Sequence, residues 1–337
     1  MYNPRGSCGF FTDKISREIQ MRHLIDLDTL KPTEVAEIID LALEIKTQMK
    51  TDMRVYAHKF GTSMEGKTLL MLFEKPSLRT RVSFEVGMTQ LGGHAIFYSI
   101  KDSPLGKKES VGDTAKVISR MCDIMMARLF KHEHILELAD HSSIPVINAL
   151  TDFSHPCQIL GDLLTIREHF GKTEGLTLAY VGDCNNNVTH SLMHGCPLAG
   201  MNIRTAGPAS PDFQPLPEVI DRAAELAELN GTTIEVLADP VAAVRDADVV
   251  YTDSWMSYHI ADDERESRFK TLMPYQVNAA LMKHSKPSAI FMNCLPAMRG
   301  EEQTGEVIDG EQSVVFEQAE NRLHIQKAIM LRLVGLA

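Results

Sequence analysis

Short, almost uninterrupted apolar runs alternate with helix-length segments along this chain, and that alternation constrains the fold more than any other feature. Thr68–Phe73, Ala95–Ser99, Ile124–Ala127 and Ile144–Asn148 have the length and composition of strands, with helical stretches at about Arg81–Leu91, Asp113–Arg120 and His132–His141. A second series runs through Leu176–Val181, Asn202–Thr205, Thr233–Leu237, Val249–Thr252 and Ala289–Met292. Helices near Val188–Ala199, Glu218–Leu229 and Val241–Ala247 lie within it. Strands that are apolar at nearly every position belong to parallel sheets covered on both faces by their crossover helices. The expectation is an α/β protein of two domains, each with a central parallel sheet flanked by helices. A length of 337 residues suits two domains at roughly 150 residues each. The boundary falls near Asp152–His155, where a new helix begins. Val35, Ile38, Ile39, Ala42, Ile45 and Met49 recur at helical spacing behind Pro32-Thr33-Glu34, which predicts an amphipathic helix ahead of the first strand. Glu320–Val334 predicts a closing one.

Charge and cysteine usage narrow the function. Lys and Arg number 34 against 45 Asp and Glu, a net charge of −11, so the overall field repels nucleic acid and anionic membrane surfaces. Any phosphate must be met by a local basic pocket. The six cysteines, Cys8, Cys122, Cys157, Cys184, Cys196 and Cys294, form no C-x-x-C pair and read as reduced cytosolic thiols. No apolar run approaches the roughly 18–20 residues of a membrane helix. Met1–Gln20 lacks a signal-peptide core and reads as a disordered lead-in. The expected location is the cytoplasm.

Several familiar motifs fail their context. Gly61-Thr62-Ser63-Met64-Glu65-Gly66-Lys67-Thr68 fits the phosphate-loop pattern letter for letter. That motif needs a strand before it and a helix after it, whereas here a strand-like run follows directly. The turn after Leu176–Val181 reads Gly182-Asp183-Cys184-Asn185-Asn186-Asn187 and lacks a dinucleotide fingerprint. No G-x-S-x-G elbow or H-E-x-x-H metal pattern occurs among the 13 histidines. His132 and His134 are expected on the surface of a helix start.

What remains points to an anion. Ser77-Leu78-Arg79-Thr80-Arg81 follows the strand ending at Phe73 and opens a helix. A helix N-terminus favours anions through its free amides and dipole. Two hydroxyls and two guanidiniums there suit a phosphate at the carboxyl end of a strand. Arg128 ends another strand, and His155-Pro156-Cys157-Gln158 opens the helix at the boundary. An imidazole and an amide can polarise a carbonyl, so the set suggests a phosphate-bearing carbonyl compound.

Ser-x-Arg-Thr-Arg, then Arg128, then His155-Pro156-Cys157-Gln158, then Cys294-Leu295-Pro296, in this order, resembles the aspartate/ornithine carbamoyltransferases. Phe73-Glu74-Lys75-Pro76, Leu91-Gly92-Gly93-His94, Glu109-Ser110-Val111-Gly112-Asp113-Thr114 and Glu320-Asn321-Arg322 look like the ornithine branch. The resemblance implies transfer of a carbamoyl group from carbamoyl phosphate to the side-chain amine of L-ornithine, giving L-citrulline and phosphate, or the reverse in a catabolic cell. It implies that residues 22–152, completed by a C-terminal helix 320–337, bind carbamoyl phosphate and that 153–319 bind the amino acid. Ser77, Leu78, Arg79, Thr80, Arg128, His155, Gln158, Cys294, Leu295 and Arg322 would then meet carbamoyl phosphate. Of these, Arg79, Arg128, His155 and Cys294 would stand at the chemistry. Asn187, Asp253, Ser257 and Tyr258 would meet ornithine. A homotrimer or multiple of trimers is implied, with no cofactor and no metal.

Three positions depart from the family pattern. Tyr258-His259 stands where Met-Gly is usual, and Asn293 replaces the histidine usual before Cys-Leu-Pro. Tyrosine and histidine are larger and polar, so they can shorten an acceptor pocket or add a hydrogen-bond partner, while loss of the histidine at 293 removes a titrating group. Putrescine or another diamino acid therefore stays open as acceptor, as does a non-catalytic regulatory paralogue.

Overall fold

The computed structural model describes residues 23–100, 105–106, 108–256 and 260–336. The lead-in expected over 1–20 lies outside the described residues, as do Arg22, Ser257, Tyr258 and His259. Among the described residues, nine strands form two sheets: β1 (Thr68–Phe73), β2 (His94–Ser99), β3 (Ile124–Arg128), β4 (Val146–Leu150), β5 (Thr177–Val181), β6 (Asn202–Ala206), β7 (Ile234–Leu237), β8 (Val249–Tyr251) and β9 (Ile290–Met292). Their orders are β2-β1-β3-β4 and β7-β6-β5-β8-β9, and every pairing is parallel. Strand order therefore reverses between β1 and β3 in one sheet and between β5 and β8 in the other. Such switch points leave a crevice beyond the carboxyl ends of the strands, where open α/β sheets bind ligands.

Local chemistry explains where elements depart from the sequence reading. β4 starts two residues later than expected because Pro145 has no N–H for the ladder, and it runs on to Leu150. The helix Leu78–Gln90 starts three residues earlier than expected, since the Ser77 hydroxyl accepts the Thr80 N–H at 3.3 Å and caps it. β2 departs from the covered-sheet expectation. It is an edge strand whose Ile96, Phe97 and Tyr98 remain exposed. Gly61–Lys67 forms a turn that leads into β1, so it lacks the preceding strand and following helix of a phosphate loop. His132 is half-buried, not on the surface. Its Nδ1 lies 2.9 Å from Thr151 Oγ1 and its ring packs on Phe153.

One helix ties the two sheets together. Pro156–Phe170 is buried at every residue from Pro156 to Ile166, as a helix enclosed on all sides must be. The closing helix, Val315–Leu333, packs along it and also against Pro32–Thr51 and Leu78–Gln90. A single apolar cluster joins Leu24, Ile38, Phe84, Leu160, Tyr180, Leu192 and Ile329 across both halves of the chain. Within it, the Lys46 ammonium donates to Glu168 at 2.8 Å and to Asn321 at 2.7 Å, so its buried charge is paired and hydrogen-bonded.

Two predictions follow from this packing. Gly92 ends the helix that begins at Leu78, with φ at 84°, and a Cβ there would lie 2.6 Å from the Gly61 carbonyl oxygen. Gly92→Ala should lower unfolding stability by about 1–3 kcal/mol, read as a lower denaturant midpoint. At the junction of the sheets, His190 Nδ1 meets the Phe153 carbonyl at 3.0 Å, and burial depresses its pKa from 6.5 to about 4. A depressed histidine stabilises the fold only above its unfolded pKa, and that contribution is lost as pH falls from 6.5 toward 4. His190→Gln should therefore flatten the acid limb of stability by about 3 kcal/mol, measured by denaturation at pH 7 and pH 4.

Candidate active site

The carboxyl ends of both sheets open into one cleft of about 450 Å³. Ser77, Leu78, Arg79 and Thr80 enter it from the turn and helix start after β1, and Arg128 from the end of β3. Those two strands flank the first switch point. Asn187 enters from the helix after β5 and Asp253 from the chain after β8, the two strands flanking the second. His155 and Gln158 come from the enclosed helix, Cys294 and Leu295 follow β9, and Arg322 returns on the closing helix. Twelve of the predicted site residues thus share one cavity. The other two, Ser257 and Tyr258, lie outside the described residues.

Hydrogen bonds fix the basic wall. Thr80 Oγ1 accepts from Arg128 Nη1 at 3.5 Å and from Arg322 Nη2 at 3.4 Å, bridging two guanidiniums from distant elements. Gln158 Oε1 accepts from Arg322 Nη1 at 2.6 Å. Arg79 pairs with no carboxylate among the described residues, and its own carbonyl accepts the Ser83 hydroxyl at 2.5 Å. Burial holds the His155 pKa well below 6.5, and the cations Arg322, Arg128, Arg79 and Lys75 push it further down. The imidazole is therefore neutral and serves as a hydrogen-bonding group, not a charge. Its backbone N–H donates to Ser191 Oγ at 2.8 Å, which fixes the start of the helix.

The opposite wall carries acceptors. Asn187 Nδ2 donates to the Thr151 carbonyl at 2.5 Å, holding its side chain across the domain junction. Asp253 Oδ1 accepts the Cys294 thiol at 3.1 Å, and burial raises the pKa of both groups. The Leu295 backbone has φ of 55°. Its N–H donates to Asn293 Oδ1 at 2.8 Å, so a neighbouring side chain supports this left-handed conformation.

Three residues next to site positions, Arg81, Asn186 and Asn293, stay out of the cleft. Arg81, expected as the second guanidinium beside Arg79, turns away from the cleft. It stacks over Phe97 at 3.9 Å and pairs with Glu85 one helical turn on, so the further cations of the pocket are Arg128 and Arg322. Asn186 and Asn187 look alike in sequence but part company. Asn186 is buried as a helix cap, its Oδ1 accepting from Val188 and Thr189, while Asn187 reaches the cleft. Asn293 is fully buried outside the cleft and donates to Gln303. Lys75 was missed, although its position just past β1 was a usable signal. It lines the cleft over the Phe130 ring, with its pKa lowered to about 8 by burial and by Arg128. Met256 and Val188 add apolar lining that no motif announces.

Chemically, the cleft offers a helix N-terminus, three guanidiniums and a neutral imidazole on one side, and an amide, a carboxyl and a thiol on the other. Comparison with known proteins agrees with that reading. A family model described as aspartate/ornithine carbamoyltransferase, carbamoyl-P binding domain, matches residues 22–168. Its Asp/Orn binding domain counterpart matches 174–333. An ornithine carbamoyltransferase from Thermococcus kodakarensis is 51% identical over 296 residues, covering 87% of this chain and 93% of that protein. One from Bacillus subtilis is 50% identical, covering 91% and 96%. The solved structure of the Pyrococcus furiosus ornithine carbamoyltransferase superimposes with a TM-score of 0.88 at 46% identity, covering 93% of this chain and 97% of that one. With the two domain models together matching most of the chain and about half the residues shared with such relatives, the chain belongs to the aspartate/ornithine carbamoyltransferase family.

Proposed function

We propose that the protein transfers the carbamoyl group of carbamoyl phosphate to the side-chain amine of L-ornithine, releasing L-citrulline and phosphate. The observation that carries this reading is the meeting of both switch points in one cleft, with Arg79, Arg128 and Arg322 facing Asn187 and Asp253. Ornithine carbamoyltransferase is also the printed name of relatives at about this identity.

The reaction needs no enzyme nucleophile, because a neutral amine attacks the carbamoyl carbon itself. The chain's tasks are to orient two substrates and to stabilise a tetrahedral oxyanion and a leaving phosphate. Ser77, Leu78, Arg79 and Thr80 hold the phosphate at the capped helix start, where amides and dipole already favour an anion. Arg128, Arg322 and the neutral His155 donate toward the carbamoyl oxygen. Gln158 Oε1 offers an acceptor to the carbamoyl N–H. Asn187 meets the ornithine carboxylate, and Asp253, with Ser257 and Tyr258, meets the α-ammonium. Cys294 and Leu295 form the contact between the two substrates, with the thiol in a non-covalent role.

In the same terms, residues 22–152 with the C-terminal segment 320–337 carry carbamoyl phosphate and residues 153–319 carry the amine. We place the protein in the cytoplasm. No helix among the described residues is long and apolar enough to cross a membrane, and the five described cysteines are free. A homotrimer is the proposed assembly; Val82 and Val86 on the helix Leu78–Gln90 and Ile96 on the edge strand β2 are exposed apolar side chains that a neighbouring chain could cover.

The deciding experiment incubates purified protein with carbamoyl phosphate and, separately, ornithine, lysine, diaminobutyrate, putrescine and acetylornithine, and measures ureido product. Citrulline should form fastest. Turnover of another amine alone would overturn the acceptor assignment, and no turnover would overturn the enzymatic one. Arg79→Ala should lower kcat/KM by about 10²–10³-fold with unfolding unchanged; near-normal kinetics would remove Arg79 from the phosphate site.

A further inference from the structure

A carboxyl group outside the cleft is wired to both of its walls. Asp162 lies in the enclosed helix, one turn beyond Gln158, and is fully buried. Its Oδ1 accepts from Gln158 Nε2 and from Gln318 Nε2, each at 2.8 Å, and its Oδ2 accepts the Tyr251 hydroxyl at 2.9 Å. The far end of each amide is also engaged. Gln158 Oε1 accepts from Arg322 at 2.6 Å, and Gln318 Oε1 accepts the backbone N–H of Asn293 at 3.0 Å. Asn293 in turn holds the Leu295 N–H. One side chain therefore connects Gln158 and Arg322 with the strand end that carries Cys294 and Leu295.

An ionised carboxylate can only accept, so every group that touches it must donate. That rule fixes the orientation of both amides. Gln158 must turn its NH₂ to Asp162 and its oxygen toward Arg322 and the cleft. Gln318 must do the same toward Asn293. A neutral group at position 162 lifts the rule, because a protonated acid or an amide can also donate, and a flipped Gln158 would then set its NH₂ against the Arg322 donors. We propose that Asp162 is a positioning residue, whose acceptor-only carboxylate sets the direction of the Gln158 amide and presents its oxygen to the carbamoyl N–H. The proposal rests on the carbamoyl-phosphate reading of the cleft.

The surroundings make this orientation responsive to pH. The ionisable groups around Asp162 are Tyr251 on β8, Arg322 on the closing helix, Cys196 on the helix Asn187–Leu198, and Cys294 past β9. Burial raises the Asp162 pKa from 3.8 to about 7, against the lowering effect of its three hydrogen bonds and of Arg322. A carboxyl raised in this way costs stability from the unfolded pKa of 3.8 upward, in full above about 7. Removing the charge should therefore not weaken the fold at pH 8, which separates positioning from support.

The test measures citrulline formation, with carbamoyl phosphate varied, in four proteins: the parent, Asp162→Asn, Gln158→Ala and the double variant. Asp162→Asn should lose about tenfold or more in kcat/KM for carbamoyl phosphate, on the scale of a misdirected hydrogen bond to a charged group, while its unfolding midpoint at pH 8 is unchanged or raised. Added to Gln158→Ala, it should cost less than about twofold, since the two act as one unit. Kinetics within twofold of the parent, or an equal loss in the Gln158→Ala background, would overturn the proposal. Should Asp162→Asn fail to fold, Tyr251→Phe decides. Losing one donor to the carboxylate should move the acid limb of kcat/KM upward by about half a unit or more, and an unmoved limb overturns the proposal. An inactive parent protein would instead overturn the functional reading on which it rests.

Discussion

Arg79, Arg128 and Arg322 bring like charge into one small cavity from three separate elements, and Lys75 adds a fourth cation at its rim. Partly desolvated charges of one sign repel strongly, so nothing local would hold this arrangement together. Two of the guanidiniums, Arg128 and Arg322, meet neutral oxygens. Thr80 Oγ1 bridges the two and Gln158 Oε1 takes a third contact. A carboxylate in those positions would neutralise the wall and compete with any anion that enters. The buried acid Asp162 is instead held behind Gln158, where it meets Arg322 through that amide. The cavity remains electropositive within a chain whose net charge is −11.

Architecture does the holding. Parallel strands deliver their carboxyl ends to one side, and a sheet whose order reverses leaves a crevice there. Two such sheets, joined by one enclosed helix, place two crevices face to face. The basic groups come mainly from the first sheet and Asn187 and Asp253 from the second, so the chemistry of the cleft divides as the chain divides. The enclosed helix contributes His155 and Gln158 at its start and Asp162 one turn later, which makes it both the hinge of the architecture and a supplier of site groups.

Much of this was legible in the sequence because it depends on order and local chemistry. Uninterrupted apolar runs announced parallel strands, and the polar residues immediately after them announced the site. What could not be read depends on direction around an axis. Arg79 and Arg81 are two residues apart on a helix and so face different ways, yet nothing in Ser-x-Arg-Thr-Arg says which one faces the cleft. Asn186 and Asn187 divide capping from lining by one residue of helix phase. Asp162 belongs to no motif, and only the arrival of Gln318 and Tyr251 from distant segments makes it a junction. Pro145, by contrast, carried its own signal, and the late start of β4 follows from its missing donor.

The return of the closing helix has a consequence for how the protein comes into being. Thr80 and Arg322 are 242 residues apart, and Lys46 and Asn321 are 275 apart, yet each pair is in direct contact. On a ribosome, the first sheet and the turn that carries Arg79 are complete long before Arg322 exists. Until then the groove that the closing helix will fill, between Pro32–Thr51, Leu78–Gln90 and Pro156–Phe170, stands open and apolar. Long-range contacts of this kind are slow to form and leave sticky surface behind while they wait. Arrival of the closing helix therefore covers the core and completes the cationic wall in a single step.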